Sequence, residues 1–427
     1  MAHVLFCTFG SRGDLHPAIA IALALGRHGV RSTIATGEEH RATVERAGGV
    51  GFAAVPPARA VFEQTPGMMA RIMDERSGGE VIFREIVLPY IEQTHAATLE
   101  AAGDADVIVG HPLALTAPTI AEQLRVPYVY TALQPLCFFS AIDPPVLAPA
   151  PWAHALRHLG PWAIRALYSL MRLQIRSWGE PIQQLRERLG LPRSRESSVI
   201  RGLYSQTLNL GLFSPLLAAP QADWPANTVA VGPCLFDDPG AWSDRDRVTA
   251  FLSPGDAPLV VTLGSSAVEI GERIFDAAAR AARAMGRRCL LLTGPLPAPA
   301  ACDGERVIAA AYAPFSQVFP HAAAVLHQCG AGTTAEAMRA GVPQVCVPFG
   351  HDQPDHAARL EGLGIAVKLG RKSITAAQIQ EAFERVLDAR RYYGRRAGAV
   401  GERSRAENGA ERAVVEILKA CERGSAR

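Results

Sequence analysis

The chain has almost no net charge: 43 Lys and Arg against 41 Asp and Glu leave +2 at neutral pH over 427 residues. No block of like charge long enough to follow a phosphate backbone is present, which excludes dedicated nucleic-acid binding. Its eight cysteines, at 7, 137, 234, 289, 302, 329, 346 and 421, form no C-x-x-C pair and no Cys/His metal spacing. Cys7, Cys289 and Cys346 lie in apolar strand patterns and are expected to be buried, reduced thiols. No apolar run reaches the roughly eighteen residues of a spanning helix. Only a handful of apolar residues precede Ser11-Arg12-Gly13-Asp14, too few for a signal peptide, so the expected location is the cytoplasm. What is present is the composition of a packed soluble enzyme, 48% hydrophobic with mean hydropathy +0.09, and a length sufficient for about two or three domains.

Apolar strand patterns alternate with helical ones in both halves. Strands are expected at 3–9, 30–36, 51–55, 106–110, 127–131 and 207–213, with helices near 16–28, 38–48, 85–102, 114–125 and 152–189. A Pro-, Gly- and Asp-rich stretch from Phe236 to Asp246 reads as a linker. A second series follows, with strands at 259–263, 289–293, 306–309, 324–327 and 343–347. This rhythm is that of doubly wound parallel sheets, and predicts domains at 1–235 and 248–407, a linker at 236–247 and a final helical segment at 408–427.

The stretch from Val325 to Leu363 carries the most chemistry. A short buried strand breaks at Gly330-Ala331-Gly332, and Thr333 and Thr334 stand where a helix cap belongs. A helix start offers unpaired N–H groups and about half a positive charge, which suits a diphosphate. Gly341-Val342-Pro343 ends that helix. The next apolar strand leads to Asp352 and Gln353, at the carboxyl edge where open parallel sheets bind ligands. At the other end of the chain, strand Val4–Phe9 runs into Gly10-Ser11-Arg12-Gly13-Asp14-Leu15-His16-Pro17 and an alanine-rich helix.

On these residues the chain resembles the inverting glycosyltransferases of family 1, which include macrolide, glycopeptide, sterol and rhamnolipid glycosyltransferases. The resemblance implies a GT-B fold, an α/β architecture of two facing Rossmann-like domains with acceptor in the amino half and donor in the carboxyl half. The final helix is expected to cross back onto the first domain. The Gln328-Cys329-Gly330-Ala331-Gly332-Thr333 segment matches the family's phosphate-binding run, with Gln328 where most members carry His and His327 its neighbour. Glu336 matches the acid that binds both ribose hydroxyls, and Asp352 and Gln353 match the pair that holds the sugar. Gly13 and Ser265, the latter in the turn after strand 259–263, match further donor contacts. Tyr312-Ala313-Pro314-Phe315 matches the element that cradles the nucleobase, Tyr312 stacking and Ala313 bonding through its backbone.

Asp14 matches the catalytic base, since a carboxylate within reach of an acceptor hydroxyl can take its proton. His16 is the rival, its imidazole better matched to neutral pH. His111 takes the place of the acid that orients the base, which predicts a reversed carboxylate–imidazole pair. The expected donor is a UDP- or dTDP-sugar with no cofactor. Asp104-Ala105-Asp106 and Asp244-Arg245-Asp246 spell D-x-D, but neither context fits a metal site, and metal-independent transfer is expected.

The acceptor is expected to be small and lipophilic, because Pro135–Pro151 forms an apolar loop with Phe138, Phe139 and Ile142. Beyond Gly160-Pro161, Arg165, Arg172 and Arg176 cluster within roughly 40° on a helical wheel while Leu167, Leu170 and Met171 point elsewhere. A basic amphipathic helix can lie on an anionic membrane surface. Packing of its apolar side on the sheet or acceptor pocket is the favoured reading. Two other classes remain: a nucleotide-sugar epimerase of the same plan, and a non-catalytic partner of a transferase.

Overall fold

The computed structural model describes residues 2–425 except 64, 195, 197, 198, 239, 241, 243, 254, 372, 373 and 389–391. Three positions of the expected linker, 239, 241 and 243, therefore lie outside the described residues. Among the described residues thirteen strands build two sheets, every pairing parallel. The first comprises β1 (His3–Cys7), β2 (Arg31–Thr36), β3 (Gly51–Ala54), β4 (Val107–Gly110), β5 (Tyr128–Ala132), β6 (Leu208–Gly211) and β7 (Thr228–Ala230), in the order 3-2-1-4-5-6-7. The second comprises β8 (Leu259–Thr262), β9 (Cys289–Leu292), β10 (Val307–Ala310), β11 (Ala324–His327), β12 (Gln344–Cys346) and β13 (Ala366–Lys368), in the order 10-9-8-11-12-13. The inner strands are buried on both faces, as strands sandwiched between helix layers must be.

Strand order reverses between β1 and β4 in one sheet and between β8 and β11 in the other. A crevice opens at the carboxyl end of such a reversal. The turns that follow these four strands carry Asp14, His111, Gly264 and Gln328, so topology alone delivers the named residues to two crevices. Contacts between the halves join them, including Arg59–Glu269 at 2.6 Å, Asp143–Arg359 at 2.6 Å and the Val146 N–H donated to Asp355 at 3.0 Å.

β7 and β13 fell outside the expected strands. Each is three residues long at a sheet edge, too short for an alternating pattern. The single helix expected over 152–189 is instead broken: a 3-10 stretch at Pro151–Leu159, a helix at Pro161–Gln174, and another at Glu180–Arg188. Gly160 at φ 97° and Pro161, which has no N–H to give, interrupt the hydrogen-bond ladder.

The C-terminal helix Gly409–Ser425 packs on the first half. Ala413, Val414, Ile417 and Ala420 are buried among Val4, Phe6, Ile19 and Leu25, and Glu411 bonds Arg27 and His28. Where the chain returns, Gly409 lies against Gly232, so close that a Cβ at 409 would collide with the carbonyls of Gly232 and Pro233. No helix among the described residues is long and apolar enough to cross a membrane.

Candidate active site

The first helix, Arg12–Arg27, starts from a capping box. Ser11 Oγ accepts the Gly13 N–H, and Asp14 Oδ2 accepts the Ser11 N–H at 2.6 Å and the Ser11 hydroxyl at 3.0 Å. The Asp14 oxygen that remains, Oδ1, lies 3.2 Å from His111 Nε2. Because His111 Nδ1 accepts the Leu113 N–H, the imidazole proton sits on Nε2 and is donated to Asp14. Burial alone would raise the Asp14 carboxyl; the His111 and Ser11 bonds outweigh it and hold the group below the usual carboxylate value. Its side chain keeps 30% of its surface open, so a lone pair is left for a ligand hydroxyl.

His16 is brought to neither partner. Its ring meets Phe236 edge-on at 5.3 Å, its Nε2 is buried without a bond, and burial, helped by Arg12, lowers its pKa to about 4. It points into the junction with the linker, away from the Asp14–His111 pair.

Opposite the first helix stands the helix Ala331–Ala340. Its cap is Gly330, extended at ψ 153° and with no side-chain bond, which corrects the expectation that Thr333 and Thr334 cap it: both lie inside the first turn and are buried. Its leading N–H groups have no partner within the helix. A narrow cleft runs between the two helix starts, lined by Gly13 and Pro17 on one side and Gly332, Thr334 and His356 on the other.

Adjacent strand residues face opposite ways, and this separates His327 from Gln328. His327 is fully buried with both nitrogens committed, Nε2 to Gln344 at 2.8 Å and Nδ1 to the Cys329 N–H at 3.1 Å. It is a packing residue, which corrects its expected place among the donor ligands. The Gln328 amide is instead wedged, buried, between Gly264 and Gly330 in the turns that follow β8 and β11, where a Cβ on either glycine would strike Nε2. Gly264 also has φ 59°, a conformation costly for any other residue. Gln328 Oε1 is buried without a partner. Ser265 follows Gly264, half-buried in the same turn.

Asp352 immediately precedes the helix Gln353–Gly362, with Oδ2 3.2 Å from His356 Nδ1. Burial raises its carboxyl, His356 and His351 oppose this, and Asp14 adds to the rise, so the two carboxylates feel each other. Gln353 Oε1 accepts the Phe349 and Gly350 N–H groups, which leaves only its NH2 for a ligand. Glu336 is 7% exposed, and burial together with Asp237 lifts its carboxyl to about 7. Tyr312 is half-buried with the Arg12 guanidinium 5.7 Å from its ring centre, and Ala313 is fully buried.

The two expected acceptor aromatics part company. Phe138, 3% exposed, packs on Trp224, Phe213 and Tyr204 in the core and reaches no ligand surface, a correction to its assigned role. Phe139 is partly open, at φ 44°, and meets Tyr168 edge-on at 5.5 Å. The D-x-D acids lie elsewhere: Asp106 accepts the His3 N–H and Asp104 pairs with Arg31 and His3 at the amino ends of β1 and β4, opposite the cleft edge. Asp244 pairs with Arg247. Among the described residues His327, Cys329 and Cys346 gather three donor atoms within 4.8 Å, but the imidazole nitrogens are already bonded.

Three site residues were not singled out from the sequence. Ser11 was legible as the S-x-x-D spacing of a capping box, and His356 as the residue one helical turn after Asp352. The approach of Arg12 to Tyr312 had no local signal.

Residues 4–137 match the glycosyltransferase family 28 N-terminal domain, and residues 301–423 the erythromycin biosynthesis protein CIII-like C-terminal domain. The chain is 31% identical to O-mycaminosyltylonolide 6-deoxyallosyltransferase of Streptomyces fradiae, over 97% of this chain and 96% of that one. It is 28% identical to dTDP-epi-vancosaminyltransferase of Amycolatopsis orientalis, over 90% and 89%. A calicheamicin glycosyltransferase structure superimposes with TM-score 0.68 over 99% of each chain, at 21% identity. The chain is a glycosyltransferase, a member of the GT-B family that holds the macrolide and glycopeptide deoxysugar transferases.

Proposed function

We propose that the chain transfers a hexose or deoxyhexose, with inversion, from a thymidine or uridine diphosphate sugar to a hydroxyl of a small lipophilic acceptor. Residues 1–235 hold the acceptor and 248–407 the donor. The observation that carries this reading is Asp14, fixed by Ser11 and His111 and left partly open, on the helix whose Gly13 and Pro17 face the glycine-capped start of the helix Ala331–Ala340, and near enough to Asp352 for the two carboxylates to interact.

The acceptor oxygen attacks the anomeric carbon from the Asp14 side while the bond to the diphosphate breaks on the other. A carboxylate held below its ordinary pKa is a weak base, yet it suffices, because the attacking oxygen becomes strongly acidic as it bonds to carbon. The departing diphosphate meets N–H dipoles already oriented towards it, together with Gln328 and Ser265. Glu336 takes the ribose hydroxyls, Tyr312 stacks on the base, and Asp352 with the Gln353 NH2 orients the sugar. Asp104 and Asp106 sit at the sheet edge opposite this cleft and Asp244 is paired with Arg247, so the diphosphate charge is met by the helix start without a divalent ion, and activity should survive a chelator. The names of the relatives from S. fradiae and A. orientalis favour a deoxysugar, and the second favours thymidine diphosphate.

A thermal-shift panel of sugar nucleotides identifies the donor, because a ligand bound only by the folded state raises its midpoint. Asp14→Asn should then keep that shift while losing product, read by mass. Retained turnover would remove Asp14 as the base, and an epimeric sugar nucleotide formed without acceptor would replace the transferase reading.

A further inference from the structure

Between Asp143 and Glu180 the chain has no acidic side chain and four arginines, at 157, 165, 172 and 176. Successive residues of the helix Pro161–Gln174 step about 100° around its axis. Ala163, Ile164 and Tyr168 thereby turn inward and are buried, with Leu167 and Met171 packed beside them. Trp162, Leu170 and Leu173 turn outward and are 66%, 58% and 67% exposed. Arg165, Arg172 and Arg176 flank that strip. In the stretch just before, Trp152 and Leu159 are also open to solvent.

Isolated exposed apolar residues are ordinary on a protein surface. Here, however, five of the nine large hydrophobics exposed among the described residues fall between Trp152 and Leu173. Leu170 therefore departs from the expectation that the apolar side packs inward, whereas Leu167 and Met171 follow it. The charge beside the strip is uncompensated within the segment: Arg157 bonds His154 and Arg172 bonds Ser169, and neither partner is an acid.

We propose that this face docks the protein on an anionic phospholipid surface. Indoles settle at headgroup depth, leucines reach the acyl boundary, and guanidiniums meet the phosphates. A second copy of the chain fits poorly, because a twofold contact would set one arginine strip against another with no acid between them. The inward side of the same helix carries Tyr168, which packs on the candidate acceptor residue Phe139. The docked face and the acceptor loop are thus two sides of one helix. The docking itself does not depend on the proposed reaction, and binding and turnover fail separately.

The test is co-sedimentation of the full chain with vesicles of phosphatidylcholine alone and of phosphatidylcholine mixed with phosphatidylglycerol, at low and high salt. The chain should bind the mixed vesicles at low salt and release at high salt. Each of Arg165→Gln, Arg172→Gln and Arg176→Gln should lower partitioning roughly fivefold, the contribution of one basic residue near such a surface. Trp162→Glu with Leu173→Glu should abolish binding with an unchanged circular dichroism spectrum and melting midpoint, since both positions are exposed. Equal sedimentation of the double variant, or no binding to mixed vesicles, would overturn the proposal. So would a concentration-dependent dimer broken by Leu173→Glu, or binding to polyglutamate that the double variant retains.

Discussion

The two walls of the cleft are built on different principles. In the amino-terminal wall, side chains hold one another: both Asp14 oxygens are bonded, His111 is fixed at both nitrogens, and Ser11 closes the cap. In the carboxyl-terminal wall the donor-facing turns rest on backbone, a glycine cap and a left-handed glycine, while the side-chain bonds of His327 and Gln353 lie behind them. Buried polar atoms there are left without partners, among them Gln328 Oε1, Thr334 Oγ1 and His356 Nε2. An unbonded buried polar group costs about 1–3 kcal/mol, a cost that a ligand's hydrogen bonds can remove. The Asp14–His111 pair is therefore fully bonded before substrate arrives, although His16 Nε2 on the same helix is not, and the open atoms of the other wall are free to take a donor's hydrogen bonds.

The sharpest way to break this contrast is Asp14→Asn. It should lower kcat about 10²–10⁴-fold, the usual worth of a positioned base, and leave the donor dissociation constant unchanged in a calorimetric titration. A matching loss of donor affinity would mean the walls are not independent.

Next in size is the cost of the unfilled wall. Glu336 has its folded carboxyl raised to about 7 from an ordinary 4.5. Burial disfavours the ionised form, so the native state holds this proton when the unfolded chain has lost it, and stability falls as pH rises from 4.5 to 7. Above pH 7 Glu336→Gln should stabilise the ligand-free protein by up to roughly 3 kcal/mol, with no gain below pH 4.5, as read by urea unfolding at several pH values. The same variant should weaken donor binding.

Gly264→Ala should cost about 1–2 kcal/mol of folding stability for its left-handed backbone, and should push Gln328 from its place. Donor affinity should fall about tenfold while Asp14 and His111 are untouched, a result visible as a change in KM without one in the acid limb of the pH profile. The smallest effect is expected from His111→Ala, which removes a positioning bond. It should lower kcat roughly tenfold, about 1.4 kcal/mol, and let the carboxyl drift upwards, so that the acid limb of kcat/KM moves to higher pH. An unchanged limb would mean that His111 has no hold on Asp14.

The sheets were legible because their inner strands are buried on both faces and so write continuous apolar runs, Val4–Phe6 and Val260–Leu263 among them. β7 and β13, three residues each, write no pattern at all. The turns bearing Asp14, Gln328 and Asp352 were legible as glycine- and acid-marked breaks after such runs. Side-chain direction was harder. Strand alternation does separate His327 from Gln328, yet the bond to Gln344 that fixes His327 crosses to a neighbouring strand. Phe138 looked available beside Phe139, but its partners Phe213 and Trp224 come from a distant part of the chain that no local spacing foretells. The wheel sets Leu170 with Leu167 and Met171 apart from the arginines, but it gives angles and not the direction of the core, and Leu170 faces solvent.

The contact of Gly409 with Gly232 has a mechanical meaning. The polypeptide passes between the two sheets once after β7 and once before the last helix, and both passages touch at a point where neither residue has a side chain. Backbone therefore lies directly on backbone where the two crossings meet, and there is no side chain between them that could give way. Bulk at Gly409 would have to push the crossings apart, although neither sheet contains the residue that was changed.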